Sequence, residues 1–163
     1  MSTLVVYDTM LFFQAASQPH RIHATMKALT DGRLILCVSP ELIGEVTDVL
    51  TRPEYRVKFP ALTPTNVAAF LNDLQSRAQV FDPVPRVFTW PEHPDDDHVF
   101  NLSIHARARY LVTWETRILR LHTAPSDAAE LLKRLAPDLS IVTPKVLADL
   151  LKTTGRDEGR EGR

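Results

Sequence analysis

Leu4-Val5-Val6-Tyr7-Asp8 is the stretch from which the fold can be read. Four apolar, β-favouring residues in succession, closed by a carboxylate, describe a strand buried on both faces of a parallel sheet. A half-exposed antiparallel strand would instead alternate apolar with polar residues. Similar short runs recur at 33–38, 78–81, 110–113 and 139–142. Between them lie segments of helical spacing. Residues 10–29 place Leu11, Phe12, Ala15, Ile22, Met26 and Leu29 for helix packing, broken at Gln18-Pro19-His20 and closed by Asp31-Gly32. Ser39-Pro40 and Thr63-Pro64 each combine an N-capping hydroxyl with proline at the first helical position. The first opens a helix whose pattern ends at Arg52-Pro53, and the second a helix reaching about Ala78. The segment 82–94, with four prolines, is expected to be a connection. Helices follow from near Asp95, over 115–122 and over 126–135, and Thr143-Pro144 opens a last one through Leu151. Strands alternating with helices predict a three-layer α/β/α sandwich around a mainly parallel five-stranded sheet.

A chain of 163 residues is the size of one domain with a substantial core. Hydrophobic residues at 44% and charged residues at 24% fit a globular protein rather than a disordered or fibrous one. From Thr153 onward there is no apolar side chain to bury, so the domain is expected over 1–152 and a disordered tail over 153–163. Met1-Ser2-Thr3 is not basic and the apolar run after it stops at Asp8, which does not describe a signal peptide. No stretch approaches the roughly 20 apolar residues of a membrane span. No membrane partner and a cytoplasmic location are therefore expected. The single cysteine, Cys37, has no internal disulfide partner and reads as a small core residue. A net charge of -1 gives no overall positive field, so a nucleic-acid partner would have to be met by a local basic patch.

In open parallel sheets, ligands bind beyond the carboxyl ends of the strands. Acidic residues collect there in this sequence: Asp8 after the first strand, Glu115 after the fourth, Asp95-Asp96-Asp97 at the start of the helix leading into the fourth, and Glu45 in the helix after the second. Glu41 and Asp48 share that helix with Glu45, and two of the three aspartates need only complement a helix dipole. Carboxylates gathered in a small volume must bind a cation or take up protons. Magnesium and manganese favour such oxygen donors and link them to phosphate oxygens. His93, His98 and His105 lie near the acids without matching a zinc spacing, and His98 follows the aspartates directly. Arg52, Arg56 and Lys58 alternate with Tyr55 and Phe59, which suits either a solvated loop or a segment that holds phosphates and stacks bases. Arg107, Arg109, Arg117 and Arg120 are candidates for a basic rim, and Trp114 is either a stacking platform or a core plug.

Taken in order, these pieces resemble the PIN domain, and in particular its branch of toxin components from toxin–antitoxin pairs. The resemblance spans about residues 4–150. It rests on Val5-Val6-Tyr7-Asp8-Thr9, on Ser39-Pro40-Glu41-Leu42-Ile43-Gly44-Glu45-Val46 with Val49-Leu50 and Arg52-Pro53, and on His93-Pro94-Asp95-Asp96-Asp97. Tyr110-Leu111-Val112-Thr113-Trp114-Glu115 with Ile118-Leu119, and Ile141-Val142-Thr143-Pro144, complete it. The resemblance implies four acids at the carboxyl edge of the sheet, a Mg2+ or Mn2+ cofactor, and cleavage of single-stranded RNA. By motif position the acids are Asp8, Glu45, Asp97 and Glu115, with Asp96 a rival to Asp97. Asp8, Asp97 or Asp96, and Glu115 would hold the metal, and Glu45 would be an outer ligand or general base. Thr113 and Thr9 would orient the acids beside them, and Arg52, Arg56 and Lys58 would meet RNA. A cognate antitoxin and a homodimer are the partners implied.

The sequence departs from the family pattern at Met10, where asparagine is usual, at Trp114, where a small residue is usual, at Glu115, where aspartate is common, and at His93, which replaces an acid. Met10 and Trp114 motivate the alternative of a PIN-like RNA- or protein-binding module with weakened catalysis. A receiver-like phosphoacceptor would explain acids at strand ends, but it leaves Glu45 and the Ser39-Pro40 helix unexplained.

Overall fold

The computed structural model describes residues 2–21 and 23–158, and all five expected strands pair with neighbours. They are β1 (Thr3–Tyr7), β2 (Leu34–Val38), β3 (Gln79–Val80), β4 (Tyr110–Val112) and β5 (Ser140–Val142). Their order across the sheet is β3-β2-β1-β4-β5, and every pairing is parallel. The chain thus steps outward from β1 to one edge, then crosses back to build the other side. The reversal leaves a crevice between the carboxyl ends of β1 and β4, where open α/β sheets bind their ligands. Tyr7 pairs with Val112, so Asp8 and Thr113, one residue further on, stand side by side at its mouth.

The continuous apolar reading of β1 is explained by its central place: Val5, Val6 and Tyr7 are wholly buried. Helices cover the sheet, with α1 (Thr9–Ser17) and α2 (Ala24–Thr30) following β1. The expected break between them is present, and Ile22 lies outside the described residues. Gly32, in the left-handed region at φ 74°, turns the chain from α2 into β2. α3 (Pro40–Leu50) begins as Ser39-Pro40 predicts, with Ser39 Oγ accepting from Leu42 N at 3.1 Å. Its residues Leu42, Val46, Val49 and Leu50 face the core.

Arg52-Pro53 does end α3, but it also starts a short helix that the sequence reading missed, α4 (Pro53–Lys58). Proline is as suited to the first position of a helix as it is unsuited to the interior. α5 (Pro64–Arg77) precedes β3. The proline-rich connection ends in a 3₁₀ turn, Pro94–Asp96, that runs straight into α6 (Asp97–Ala106). α6 packs across β1, β2 and β4. α7 (Thr116–Thr123) and α8 (Asp127–Leu135) lead to β5. The last helix, α9 (Pro144–Glu158), packs on α2 and continues beyond its expected end at Leu151. Residues 153–158, expected to be disordered, are therefore helical, while 159–163 lie outside the described residues. Among the described residues, no helix is long and apolar enough to cross a membrane.

Candidate active site

Asp8 caps α1, its Oδ1 accepting from Thr9 N at 2.9 Å. Its Oδ2 accepts from Thr113 Oγ1 at 3.0 Å, and the Thr113 hydroxyl in turn accepts from Glu115 N at 3.0 Å. Only 9% of Asp8 is exposed. Burial pushes its carboxyl above the ordinary value, the hydrogen bonds from Thr113 and Thr9 oppose that rise, and the charges of Glu115 and Glu45 add to it. Asp8, Glu45 and Glu115 therefore share one electrostatic neighbourhood, although they come from three separate parts of the chain.

Glu45 follows Leu42 by three residues and precedes Val49 by four, so it lies on the edge of the buried stripe of α3 nearest the crevice. It is paired with His98 Nε2, a contact between α3 and α6. That hydrogen bond holds the Glu45 carboxyl below its ordinary value, against the opposing effect of burial. Burial would lower the His98 imidazole, but Glu45, together with Glu41 and Asp8, raises it on balance.

Two of the three consecutive aspartates, Asp96 and Asp97, have different partners. Asp96, whose side chain is 15% exposed, is gripped by Arg117: Nε reaches Oδ2 at 2.8 Å and Nη2 reaches Oδ1 at 3.1 Å. Arg117 Nη1 also reaches Glu115 Oε2 at 2.7 Å. Asp97 turns the other way, and its Oδ1 accepts from Trp90 N at 2.8 Å. One helical turn later, the buried Asn101 accepts from Val87 N and Phe88 N at 2.9 and 2.8 Å and donates to Phe88 O at 3.0 Å. Asp97 and Asn101 together pin the proline-rich connection to α6. Trp90 and Phe88 close over Phe100 beneath it.

The sequence model of the PIN domain matches residues 4–117, which takes in β1 through the start of α7. The chain belongs to the PIN domain family. Searches of curated proteins and of solved structures found no match. Members of the family are typically nucleases that work with divalent metal ions, and nuclease chemistry is the general function this membership suggests.

In this PIN domain the donor set at the crevice suits a hard divalent cation. Asp8 feels the charges of Glu115 and Glu45, Asp96 is joined to Glu115 through Arg117, and Thr9 Oγ1 is buried without a hydrogen-bond partner among the described residues. As the side chains stand, no group of three His, Cys, Asp or Glu among the described residues is disposed to hold a metal ion. Two of the acids are turned toward Arg117 and one toward His98.

Other candidates fall in varied places. His93 packs on Trp90 with ring centroids 4.5 Å apart, and His105 packs on Phe81 at 5.7 Å, so His98 alone of the three meets the acids. Arg52 pairs with Asp48 at 2.8 Å, and its charge is felt by Glu45. Arg56 and Lys58 are exposed on α4, not in a loop, while Tyr55 and Phe59 turn inward onto Phe13 at 4.9 and 5.2 Å. Those two rings are therefore not free to stack bases. Arg107 and Arg109 sit before β4, at the opposite edge of the sheet from Arg117 and Arg120. Trp114 is 47% exposed, with Nε1 donating to Gln14 Oε1 at 3.2 Å, and is not a core plug. A cleft of about 520 Å3 between α1, α2 and α5, rimmed by Arg21, Lys27 and Arg77, stands apart from the acids.

Sequence reasoning missed the roles of Arg117 and Asn101. Both act across long separations, Arg117 on a residue 21 positions away and Asn101 on residues 13 and 14 away. Only the position of Arg117, two residues past a candidate acid, offered a signal.

Proposed function

We propose that this PIN domain is a metal-dependent endoribonuclease that cuts single-stranded RNA, and that it is the toxin of a toxin–antitoxin pair. What supports the nuclease reading is the electrostatic coupling of Asp8 with Glu115 and Glu45, together with the joining of Asp96 to Glu115 through Arg117. Asp8, Asp96 and Glu115 would hold Mg2+ or Mn2+. That ion would activate a water and offset the charge that builds on the scissile phosphate. Asp97 is assigned to holding the connection, through its Oδ1, which accepts from the Trp90 amide.

Each protein group then has a task of its own. Thr113 fixes the direction of Asp8 and, through the Glu115 amide, the start of α7. Glu45, whose carboxyl the hydrogen bond with His98 holds below its ordinary value, would accept a proton from an attacking water. Trp114 offers an open aromatic face one residue from Glu115, suited to an unpaired base. Arg52, Arg56 and Lys58 extend a basic strip from α3 to the end of α4 for the RNA backbone. A homodimer and a cognate antitoxin are the partners that go with the toxin reading.

Cleavage of single-stranded RNA with Mn2+ tests the nuclease reading. Asp8→Asn and Asp96→Asn should each abolish it, while Asp97→Asn, whose amide oxygen still accepts from Trp90, should retain it. Full cleavage by Asp8→Asn would sink the proposal. Growth arrest on expression, relieved by the product of a neighbouring gene, tests the toxin half. A second reading, an RNA- or protein-binding module with weakened catalysis, is favoured by one observation, the occupation of Asp96 and Glu115 by Arg117.

A further inference from the structure

Arg117 sits in the first turn of α7, where the helix dipole disfavours a cation, so helix stability does not account for an arginine here. What it does instead is join two acids from different elements. Its guanidinium forks both oxygens of Asp96 and spends its remaining terminal nitrogen on Glu115. The Arg117 side chain is 41% exposed, so it is anchored at the mouth of the crevice and not sealed within it.

Charge arithmetic gives this placement meaning. Asp8, Glu45, Asp96 and Glu115 bring four carboxyl groups to the crevice, and Arg117 sets a guanidinium against two of them. A guanidinium keeps its charge at any working pH, so Arg117 cannot leave by losing a proton. It can leave only by exchanging partners. The partner whose geometry matches a carboxylate's, and which a nuclease must bring to this spot, is a phosphodiester: the same planar fork that grips Asp96 grips two phosphate oxygens.

We propose that Arg117 is an exchangeable counter-cation. With no metal bound it neutralises Asp96 and Glu115, a divalent ion displaces it, and the released guanidinium takes the phosphate of the RNA strand. The inference rests on the reading of these acids as a metal site. It also gives the pairing of the acids a role in an active enzyme, where the binding-module reading takes it as a sign of lost activity.

Calorimetric titration with Mn2+ of the wild type, Arg117→Gln and Arg117→Lys, with Asp8→Asn as control, tests the first exchange. Arg117→Gln should bind Mn2+ about tenfold more tightly than the wild type, with Arg117→Lys between them, because the competing cation is gone. Fluorescence anisotropy of a labelled single-stranded RNA, with Ca2+ in place of Mn2+, tests the second. Arg117→Gln should bind the strand about tenfold more weakly despite holding the ion more tightly. The opposite signs of the two effects are the signature, since a merely structural arginine would weaken both. Equal or weaker Mn2+ binding by Arg117→Gln, with binding still abolished by Asp8→Asn, would overturn the exchange and leave the metal site standing. Unchanged RNA affinity would overturn the phosphate step. Absence of Mn2+ binding in both wild type and Arg117→Gln would remove the metal site and the exchange together.

Discussion

Thr113 Oγ1 donates to Asp8 Oδ2 at 3.0 Å across the β1–β4 crevice, and the same oxygen accepts from the Glu115 amide. One wholly buried hydroxyl thus ties the two strand ends that carry acids. Thr113→Val keeps the shape, removes the donor to Asp8 and leaves the Glu115 N–H without its acceptor. The expected cost is about 1–3 kcal/mol in urea unfolding, with RNA cleavage reduced, while Thr113→Ser stays near wild type in both.

Burial disfavours the charged form of Asp8 and raises its pKa above the ordinary value. Such a group works against folding at neutral pH, because its contribution is fullest below its ordinary value and declines as pH rises through the raised one. Asp8→Asn should therefore raise the melting temperature of the metal-free protein, while abolishing Mn2+-dependent cleavage. Thermal melting with a chelator present checks it. A marked fall in melting temperature would contradict it.

Asn101 is 3% exposed and every polar atom of its side chain is bonded. Asn101→Leu would strand the Val87 and Phe88 amides and the Phe88 carbonyl. A loss of about 3 kcal/mol or more is expected, with protease cutting appearing first in the segment 82–94. Urea unfolding and mapping of early proteolytic fragments would show both.

Trp114 and Trp90 divide the protein's tryptophan emission, since Trp90 is 5% exposed and Trp114 is 47% exposed. RNA should quench the Trp114 component alone. Trp114→Leu should weaken RNA binding by about 1–3 kcal/mol, the range for one stacked base, with the unfolding midpoint almost unmoved.

Alkaline pH should weaken the fold through Cys37 and Tyr7. Burial pushes the Cys37 thiol from 9.0 up to about 11, and pushes the Tyr7 phenol, which donates to Thr25 O at 2.8 Å, well above its usual range. Groups with raised values contribute fully below their ordinary pKa and lose that contribution as pH climbs through the folded one. Stability measured in urea should fall between pH 9 and 11, and Cys37→Ala should remove part of that slope. At pH 8 the native thiol should resist a disulfide reagent that modifies it at once in urea.

What the sequence disclosed is what is written locally. Buried parallel strands show as unbroken apolar runs, and Ser39-Pro40, Thr63-Pro64 and Thr143-Pro144 announce helices because one hydroxyl caps one amide three residues on, at 3.1, 3.1 and 3.2 Å. Asp8 and Glu115 were legible as acids ending strands. The directions of Asp96 and Asp97 were not, because they depend on a 3₁₀ turn passing into α6, which rotates neighbouring side chains to opposite sides. Nor was α4, since a proline that stops one helix also suits the start of the next. The grip of Arg117 on Asp96 and of Asn101 on the connection are tertiary facts, set by how α6 and α7 are docked.

The central position of β1 carries a mechanical consequence. Asp8 hangs from a strand flanked by partners on both sides, which opens only when much of the sheet opens. Asp96 and Arg117 hang from a three-residue turn and from the first turn of an eight-residue helix, elements that yield at far lower cost. The crevice thus has one rigid wall and one compliant wall. An arriving ligand would find a fixed point of reference at Asp8 and an opposing jaw able to adjust to its size.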